Sequence, residues 1–477
     1  MSTFGTLFRV TTFGESHCKG VGAVVDGCPP GLALTEADIQ PQLTRRRPGQ
    51  SRLATPRDEA DRVTILSGTE RGVALGTPIG LFVPNENVRP HDYSEMDAIP
   101  RPGHADYTYQ VKYGLRASSG GGRSSARETI GRVAAGAIAE KWLLQAYGTR
   151  IVTFVSAVGG VALPRALEAH PSGRPWTREE VDTLGTLTLL RVPGEEGGEG
   201  GWRADAPSAA EQAALDAADD EAFAGARGAY AREDTPAYEA HDGAVYSRSG
   251  ALLPPLGAAD LARRRSAACI ALRCPHAPTA AAMATEIRAV KAAQDSTGGV
   301  LTTVCTRVPV GLGEPCFDKL EARLASAMLS LPATKGFEIG SGFAGTALRG
   351  SQHNDVFLPG GGGSSSSGGE GAVHLLKTAT NHAGGTLGGI SNGADIVFRV
   401  AVKPVSTISQ AQSTATYSGE AAVLMAKGRH DPCVLPRSPP LVEAMAALVL
   451  IDAALVQRAR GAVHVLPEEA VGGSAAE

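Results

Sequence analysis

The sequence predicts an α+β chain in which one core domain is interrupted by a large insertion. Three observations predict it. Strand-like stretches recur in both halves, over residues 6–13, Ile151–Val158, Val300–Val308 and Ile396–Val402. Ile130, Val133, Ala134, Ala137, Ile138 and Trp142 share one face at helical spacing, which marks a buried amphipathic helix. From about Pro175 to Ala262 the composition turns to glycine, alanine and acids, with little to form a core of its own. The division that follows is a first core part at 1–175, a low-complexity insertion at 176–262, a second core part at 263–460 and a flexible tail at 461–477.

In chain order, residues 6–13 read as a strand ending in Gly14-Glu-Ser-His17. Gly22–Val25 reads as a second strand, closed by the turn Asp26-Gly-Cys-Pro-Pro-Gly31. Thr35-Glu-Ala-Asp38 starts a helix that carries Ile39 and Leu43 inward and ends near Arg45-Arg-Arg-Pro-Gly49. Val63–Leu66 and Ile79–Val83 are short strands of a hairpin-like segment. Gly120-Gly-Gly-Arg-Ser-Ser-Ala-Arg-Glu128 introduces the central helix, and its Ser125-x-x-Glu128 reads as a capping box that sets the start at Ser125. After the insertion come a helix at Met283–Gln294, the strand at Val300–Val308, and a helix carrying Phe317, Leu320, Leu324, Met328 and Leu331. Gly340-Ser-Gly-Phe-Ala-Gly345 matches the dinucleotide fingerprint, but Thr346–Gly350 reads as a strand ending in a turn, so the fingerprint is rejected. Gly360–Gly369 is a linker or loop tip. Asn381–Gly393 is a second glycine-rich loop feeding Ile396–Val402, and Leu441–Arg458 is the last helix.

With 477 residues, 43% hydrophobic and 20% charged, and a net charge of −4, the chain has the profile of a soluble globular protein with no basic excess for nucleic acid. Its seven cysteines are scattered, without a C-x-x-C pair or zinc spacing, which suits reduced thiols in a cytoplasmic protein and no metal centre. No apolar run reaches membrane-spanning length, so no membrane partner is expected. The N-terminus lacks a hydrophobic signal core, and strand patterning from Thr6 leaves no room for a transit peptide.

The residues that could carry chemistry sit in turns. A glycine run ahead of a helix start offers backbone N–H donors and the positive end of the dipole, and Arg123 and Arg127 add full charges. The plain alternative is a glycine loop before a capped helix, with both arginines solvated. Arg45, Arg46, Arg47 and Arg52 form a cationic knot. Acids interleave with it (Asp58, Glu59, Asp61) and no aromatic ring stands among the arginines for base stacking. A compact polyanion such as a phosphorylated carboxylic acid therefore fits better than nucleic acid, since guanidinium binds carboxylate and phosphate bidentately. His17 follows a strand and could face a cleft, although a lone histidine there is more often structural. Arg101-Pro-Gly-His-Ala-Asp106 sets His104 beside a carboxylate, as a tuned acid or as a satisfied turn histidine. Lys403-Pro-Val-Ser-Thr407 closes a strand with a cation and hydroxyls, and Gly428-Arg-His-Asp-Pro-Cys433 concentrates Arg429, His430 and Asp431 in one turn.

Taken in order, Gly14–His17, Arg45–Arg52, Arg101–Asp106, Gly120–Glu128, Leu348-Arg-Gly-Ser351, Asn381–Gly393, Lys403–Thr407 and Gly428–Cys433 resemble the chorismate synthase family. The resemblance spans roughly residues 4–160 and 265–460. One such motif is weak; eight in sequence are specific. The insertion and the glycine-serine run near 360–371 depart from compact bacterial members. Cys18, where many bacterial members have glycine, resembles the eukaryotic, fungal-like branch.

The resemblance implies a β-α-β sandwich, a homotetramer, and a lyase that releases phosphate from 5-enolpyruvylshikimate 3-phosphate to give chorismate. The family requires reduced FMN although the reaction is redox-neutral, and some eukaryotic members reduce it with NADPH, which the sequence leaves open. Flavin contacts carry over to Arg123, Ser124, Ser125, Gly388, Lys403, Pro404, Val405, Ser406, Thr407 and Arg429, and to Pro332-Ala333, where a backbone contact is expected at Pro332. A substrate with two carboxylates and a phosphate demands several arginines, for which Arg46, Arg52, Arg127 and Arg429 are the candidates. The family's acids carry over to His17, near the phosphate, and His104, near the flavin, and its proton route, through the flavin N5, to Asp431.

Overall fold

A computed structural model describes residues 2–51, 53–55, 59–86, 97–117, 121–190, 236–258, 261–262, 265–359, 376–426 and 430–460. Two five-stranded antiparallel sheets enclose a layer of helices. The first sheet contains β1 (Thr3–Phe4), β2 (Arg9–Phe13), β3 (Gly20–Asp26), β4 (Thr64–Ile65) and β5 (Ile79–Pro84), in the order β1-β2-β3-β5-β4. The second contains β6 (Arg150–Val158), β7 (Val161–Ala162), β8 (Gly299–Thr306), β9 (Thr334–Ile339) and β10 (Ile396–Val402), in the order β9-β10-β8-β6-β7. The layer between them holds α1 (Glu36–Arg46), α2 (Thr129–Tyr147), α3 (Leu320–Leu329) and α4 (Pro439–Ala459). This is the β-α-β sandwich.

α2 packs on strands of both sheets and on α4. Its burial is nearly all round, from Thr129 to Ala139 with Arg132 the exception, so it is a core helix rather than an amphipathic one. Gly136 makes the α2–α4 contact close: a Cβ there would stand 2.3 Å from the Ala444 Cβ. The helix start also differs from the expected box. Ser125 caps a short 3₁₀ turn, Ala126–Glu128, by accepting from the Arg127 N–H at 3.3 Å. Glu128 pairs with Arg132 at 2.9 Å instead of reaching back to the cap.

α4 corrects a second expectation. Its 21 residues are long and apolar enough to cross a membrane, yet 78% of its most apolar stretch is buried inside the protein, as a helix between two sheets must be. Asp452 on α4 holds the first sheet's opening: its Oδ1 accepts the N–H of Leu7 at 2.7 Å and of Phe8 at 3.0 Å, and its Oδ2 accepts that of Thr6 at 2.9 Å.

The flanks of the expected insertion are structured. Helix Arg178–Leu184 leads into a third antiparallel sheet made of Leu252–Leu253, Val245–Ser247, Pro236–Ala240, Thr186–Leu190 and Arg265–Ala271, in that order. Val181, Leu187, Leu189 and Tyr238 join the continuous core. Strands of two to seven residues beside a low-complexity run carry too few apolar positions to stand out in composition. Residues 191–235 lie outside the described part, as do the Gly360–Gly369 run and the tail from 461.

Thr346–Gly350 is not a strand. Gly342–Ala347 forms a 3₁₀ helix, followed by a single helical turn at Gly350–His353. The dinucleotide reading still fails, on other grounds: β9 runs antiparallel to β10, whereas the fingerprint belongs to a parallel βαβ unit.

Candidate active site

The site assembles around the start of α2. Arg123 donates to the Gly14 carbonyl at 3.0 Å and to Thr12 Oγ1 at 2.6 Å, which fastens the glycine turn to the end of β2 and to the His17 segment. His17 is half-buried, with Nδ1 2.9 Å from Ser16 Oγ. Ser124 Oγ donates to the Gly121 carbonyl at 2.6 Å. Asn85, which sequence reasoning missed, bridges this turn to the next arginine. Its amide donates to the carbonyls of Glu15 and Cys18 at 2.9 and 2.8 Å, while its Oδ1 accepts from Arg127 Nε. An isolated asparagine after a strand carries no sequence signal for such a link.

The arginine knot divides. Arg45 turns away, to Asp182 at 2.8 Å and Glu443 at 2.5 Å. Arg46 turns inward at 2% exposure and donates to Thr129 Oγ1, to the Ala126 carbonyl and to Asp61. Burial lowers its pKa to about 10, against the pull of Asp61 and together with the repulsion of nearby Arg437 and Arg127. Arg127 reaches Asp61 at 2.9 Å, Glu59 at 2.5 Å and the Pro84 carbonyl at 3.0 Å. Arg46 and Arg127 are thus brought together, in a buried ionic cluster rather than a solvated run. Arg52 and Arg429 lie outside the described residues.

Asp431 sits at the edge of this cluster and is buried. Its Oδ1 accepts the Thr55 N–H at 2.9 Å and its Oδ2 accepts from Arg437 at 2.6 Å. The turn that bears it therefore docks on the loop that follows α1.

A second group forms where β9 and β10 meet. His104 Nδ1 lies 2.7 Å from Asp106 Oδ1, and Arg101 clamps the same carboxylate through Nε at 2.7 Å and Nη2 at 2.9 Å. Burial works to raise the Asp106 carboxyl, but the hydrogen bonds from Arg101 and His104 prevail and hold it far below the usual carboxylate range. A carboxylate accepting at Nδ1 fixes the tautomer in which Nδ1 carries the proton. Lys403 Nζ donates to the Gly103 carbonyl and to Ser406 Oγ, both at 2.6 Å, and Arg101 donates to Thr407 Oγ1 at 3.3 Å. Burial and the neighbouring Lys335 lower the Lys403 pKa. Ser296 Oγ donates to the Val405 carbonyl at 2.7 Å, and the exposed Pro404 lies between these contacts.

Pro332-Ala333 joins this group through the backbone: the Ala333 carbonyl accepts the Lys403 N–H at 2.9 Å, and Ala333 takes a left-handed φ of 66°. An alanine there is strained, and such strain concentrates at functional sites. Helix Asp106–Tyr113 connects the two groups, since Tyr109 lies within electrostatic reach of Arg123 and Glu128. Gly388 stands apart. It is the first turn residue of the hairpin Thr386–Leu387/Ile390–Ser391, and the next residue's carbonyl accepts the Leu320 N–H at 2.8 Å, on the α3 side.

Comparison with known proteins agrees along the whole chain. The family model for chorismate synthase matches residues 8–455. The chorismate synthase of Schizosaccharomyces pombe is 50% identical over 460 residues, covering 96% of this chain and 97% of that protein. That of Saccharomyces cerevisiae is 50% identical over 463 residues, with 96% and 98% covered. That of the bacterium Opitutus terrae is 48% identical over 451 residues, with 94% and 96% covered. A solved structure titled as the crystal structure of chorismate synthase is similar at a TM-score of 0.57 and 26% identity, covering 95% of this chain and 93% of that one.

Proposed function

Because this chain belongs to the chorismate synthase family, we propose that its reaction runs at the start of α2, between the arginine cluster and the His104–Lys403 group. The protein is a carbon–oxygen lyase of the shikimate pathway: it converts 5-enolpyruvylshikimate 3-phosphate to chorismate and phosphate by a trans-1,4 elimination. The observation that carries the placement is the convergence of Arg46, Arg127, Arg123 and the His17 turn on one helix start.

The residues fit a bound FMN. Lys403, Ser406 and Thr407 offer a cation and two hydroxyls in one loop, and Ser124 and Ser125 precede a helix start. Pro332, Ala333, Pro404, Val405 and Arg429 complete the proposed flavin contacts. Reduced FMN, when bound, supplies a transient electron that weakens the C–O bond to the leaving phosphate.

Around it the chain does the remaining work. The ring C–O bond breaks with its pair going to phosphate, a ring C–H bond breaks, and a new C=C closes the balance. Arg46, Arg52, Arg127 and Arg429 bind the two carboxylates and the phosphate. His17 holds a proton toward the leaving phosphate, and His104, oriented by Asp106, presents its other ring nitrogen as the second acid. Asp431 accepts the ring proton. A second reading of Asp431 has specific support: both its oxygens are already engaged, which suits an anchor for Thr55 and the loop that follows α1.

We further propose a homotetramer in the cytoplasm. Single chains leave Phe317, Phe343, Phe357 and Leu376 half or more exposed, which favours self-association, and light scattering after size exclusion tests it. Anaerobic turnover of the substrate with photoreduced FMN tests the main reading, and no phosphate release there would end it. The same assay with NADPH alone tests whether the chain also reduces its own flavin.

A further inference from the structure

Among the groups that the mechanism leaves unused, Asp61 has the most unusual placement. Its side chain is wholly buried, and its two oxygens go to two different elements: Oδ2 accepts Arg46 Nη1 from α1, and Oδ1 accepts Arg127 Nη1 from the turn before α2, both at 2.9 Å. Its backbone is left-handed, with φ 48°, and its carbonyl accepts from Gln40 at 3.2 Å. A non-glycine residue keeps that conformation only where its surroundings over-determine it, and aspartate is among the few that tolerate it. Here the side chain is held by two guanidinium groups, of which Arg127 also meets Glu59.

We infer that Asp61 is the positioning residue of the substrate-binding arginine pair, setting the spacing and tilt at which Arg46 and Arg127 meet an anionic substrate. The inference rests on the proposed role of those two arginines. Charge alone argues for the opposite effect. A carboxylate beside two arginines competes with an anionic substrate, so if Asp61 acted only through its charge, its removal would tighten binding. Geometry predicts weakening, because planar forks bind carboxylate and phosphate well in a narrow range of orientations. The sign of the change therefore decides between them.

Asparagine and glycine both accept a left-handed backbone, so Asp61→Asn and Asp61→Gly remove the carboxylate without adding backbone strain. Steady-state kinetics with photoreduced FMN should show KM for 5-enolpyruvylshikimate 3-phosphate raised about tenfold to a hundredfold in both, with kcat changed less. In a double-mutant cycle, Asp61→Asn should add less to Arg127→Ala than it costs alone, because only Arg46 is then left to be displaced. KM unchanged or lowered in folded variants, or full additivity in the cycle, overturns the inference. Loss of the native circular dichroism in both variants assigns Asp61 to stability alone and overturns it too. Absence of turnover by the wild-type protein would strike the parent reading instead.

Discussion

Arg46 shows how one side chain can be bound to fold and site at once. It is 2% exposed and paired with a carboxylate that is itself fully buried. Arg46→Ala should cost about 1.5–3 kcal/mol of stability by urea unfolding, because it takes from the buried Asp61 carboxylate one of its two guanidinium partners and leaves only Arg127, in addition to raising KM. A variant with unchanged unfolding midpoint would return Arg46 to a solvated role. Asp106 gives a pH test. Its pKa is depressed in the folded protein, so its pairing stabilises the fold above the ordinary carboxylate pKa of about 4 and is lost as pH falls below it. Asp106→Asn should therefore be less stable than wild type at neutral pH and approach it in acid; stability curves that stay parallel would refute this. Asp431→Asn separates the two readings of that residue: kcat should fall by ~10²–10⁴ with KM kept, whereas a raised KM with kcat kept makes it an anchor. The residue types of this site were legible in the sequence, because arginines, histidines and hydroxyls gathered in glycine turns. Their partners were not. Asp61 and Asn85 are brought to Arg127 across 66 and 42 residues of chain, and no local pattern encodes that reach.

Elements with strong local periodicity followed expectation in the strands near 151–158, 300–306 and 396–402, and so did the presence of the helix after Ser125, though not its start or its one-sided burial. Elements set by tertiary neighbours did not. Thr346–Gly350, expected as a strand, instead runs from the end of the 3₁₀ helix Gly342–Ala347 to the start of the turn Gly350–His353, and the third sheet hides in the flanks of a low-complexity run. That sheet changes what a deletion should do. Removing residues 178–260 would take Val181, Leu187 and Tyr238 out of the core and should abolish folding. Thr186–Leu190 and Pro236–Ala240, however, are antiparallel neighbours, with Leu189 opposite Tyr238. Replacing residues 193–233 by a short Gly-Ser turn should then leave circular dichroism and turnover with photoreduced FMN near wild type, since shortening a hairpin connection lowers its closure cost. A folded but inactive protein would place those residues in the reaction.

At the scale of the whole molecule, the helical layer is what holds two sheets at a working distance. α2 and α4 approach so closely that Gly136→Val would press its side chain into Ala444. Overpacking there should cost about 1–3 kcal/mol and lower the thermal midpoint, while the compensating Ala444→Gly should recover part of it. No recovery would mean that the contact tolerates separation.

The grip of Asp452 on the N–H groups of Thr6, Leu7 and Phe8 has a consequence for synthesis. The two partners are 446 residues apart at the widest, and the acidic one is made near the end. At about 5–20 residues per second, the opening strands wait on the order of twenty seconds to a minute and a half for it. Throughout that interval a ribosome-bound chain carries the first sheet without its closing clasp, with pairable strand edges and exposed Phe8. Nascent chains stalled before α4 should therefore bind chaperones and be readily cleaved near their first residues, and release of the last helix should end both at once.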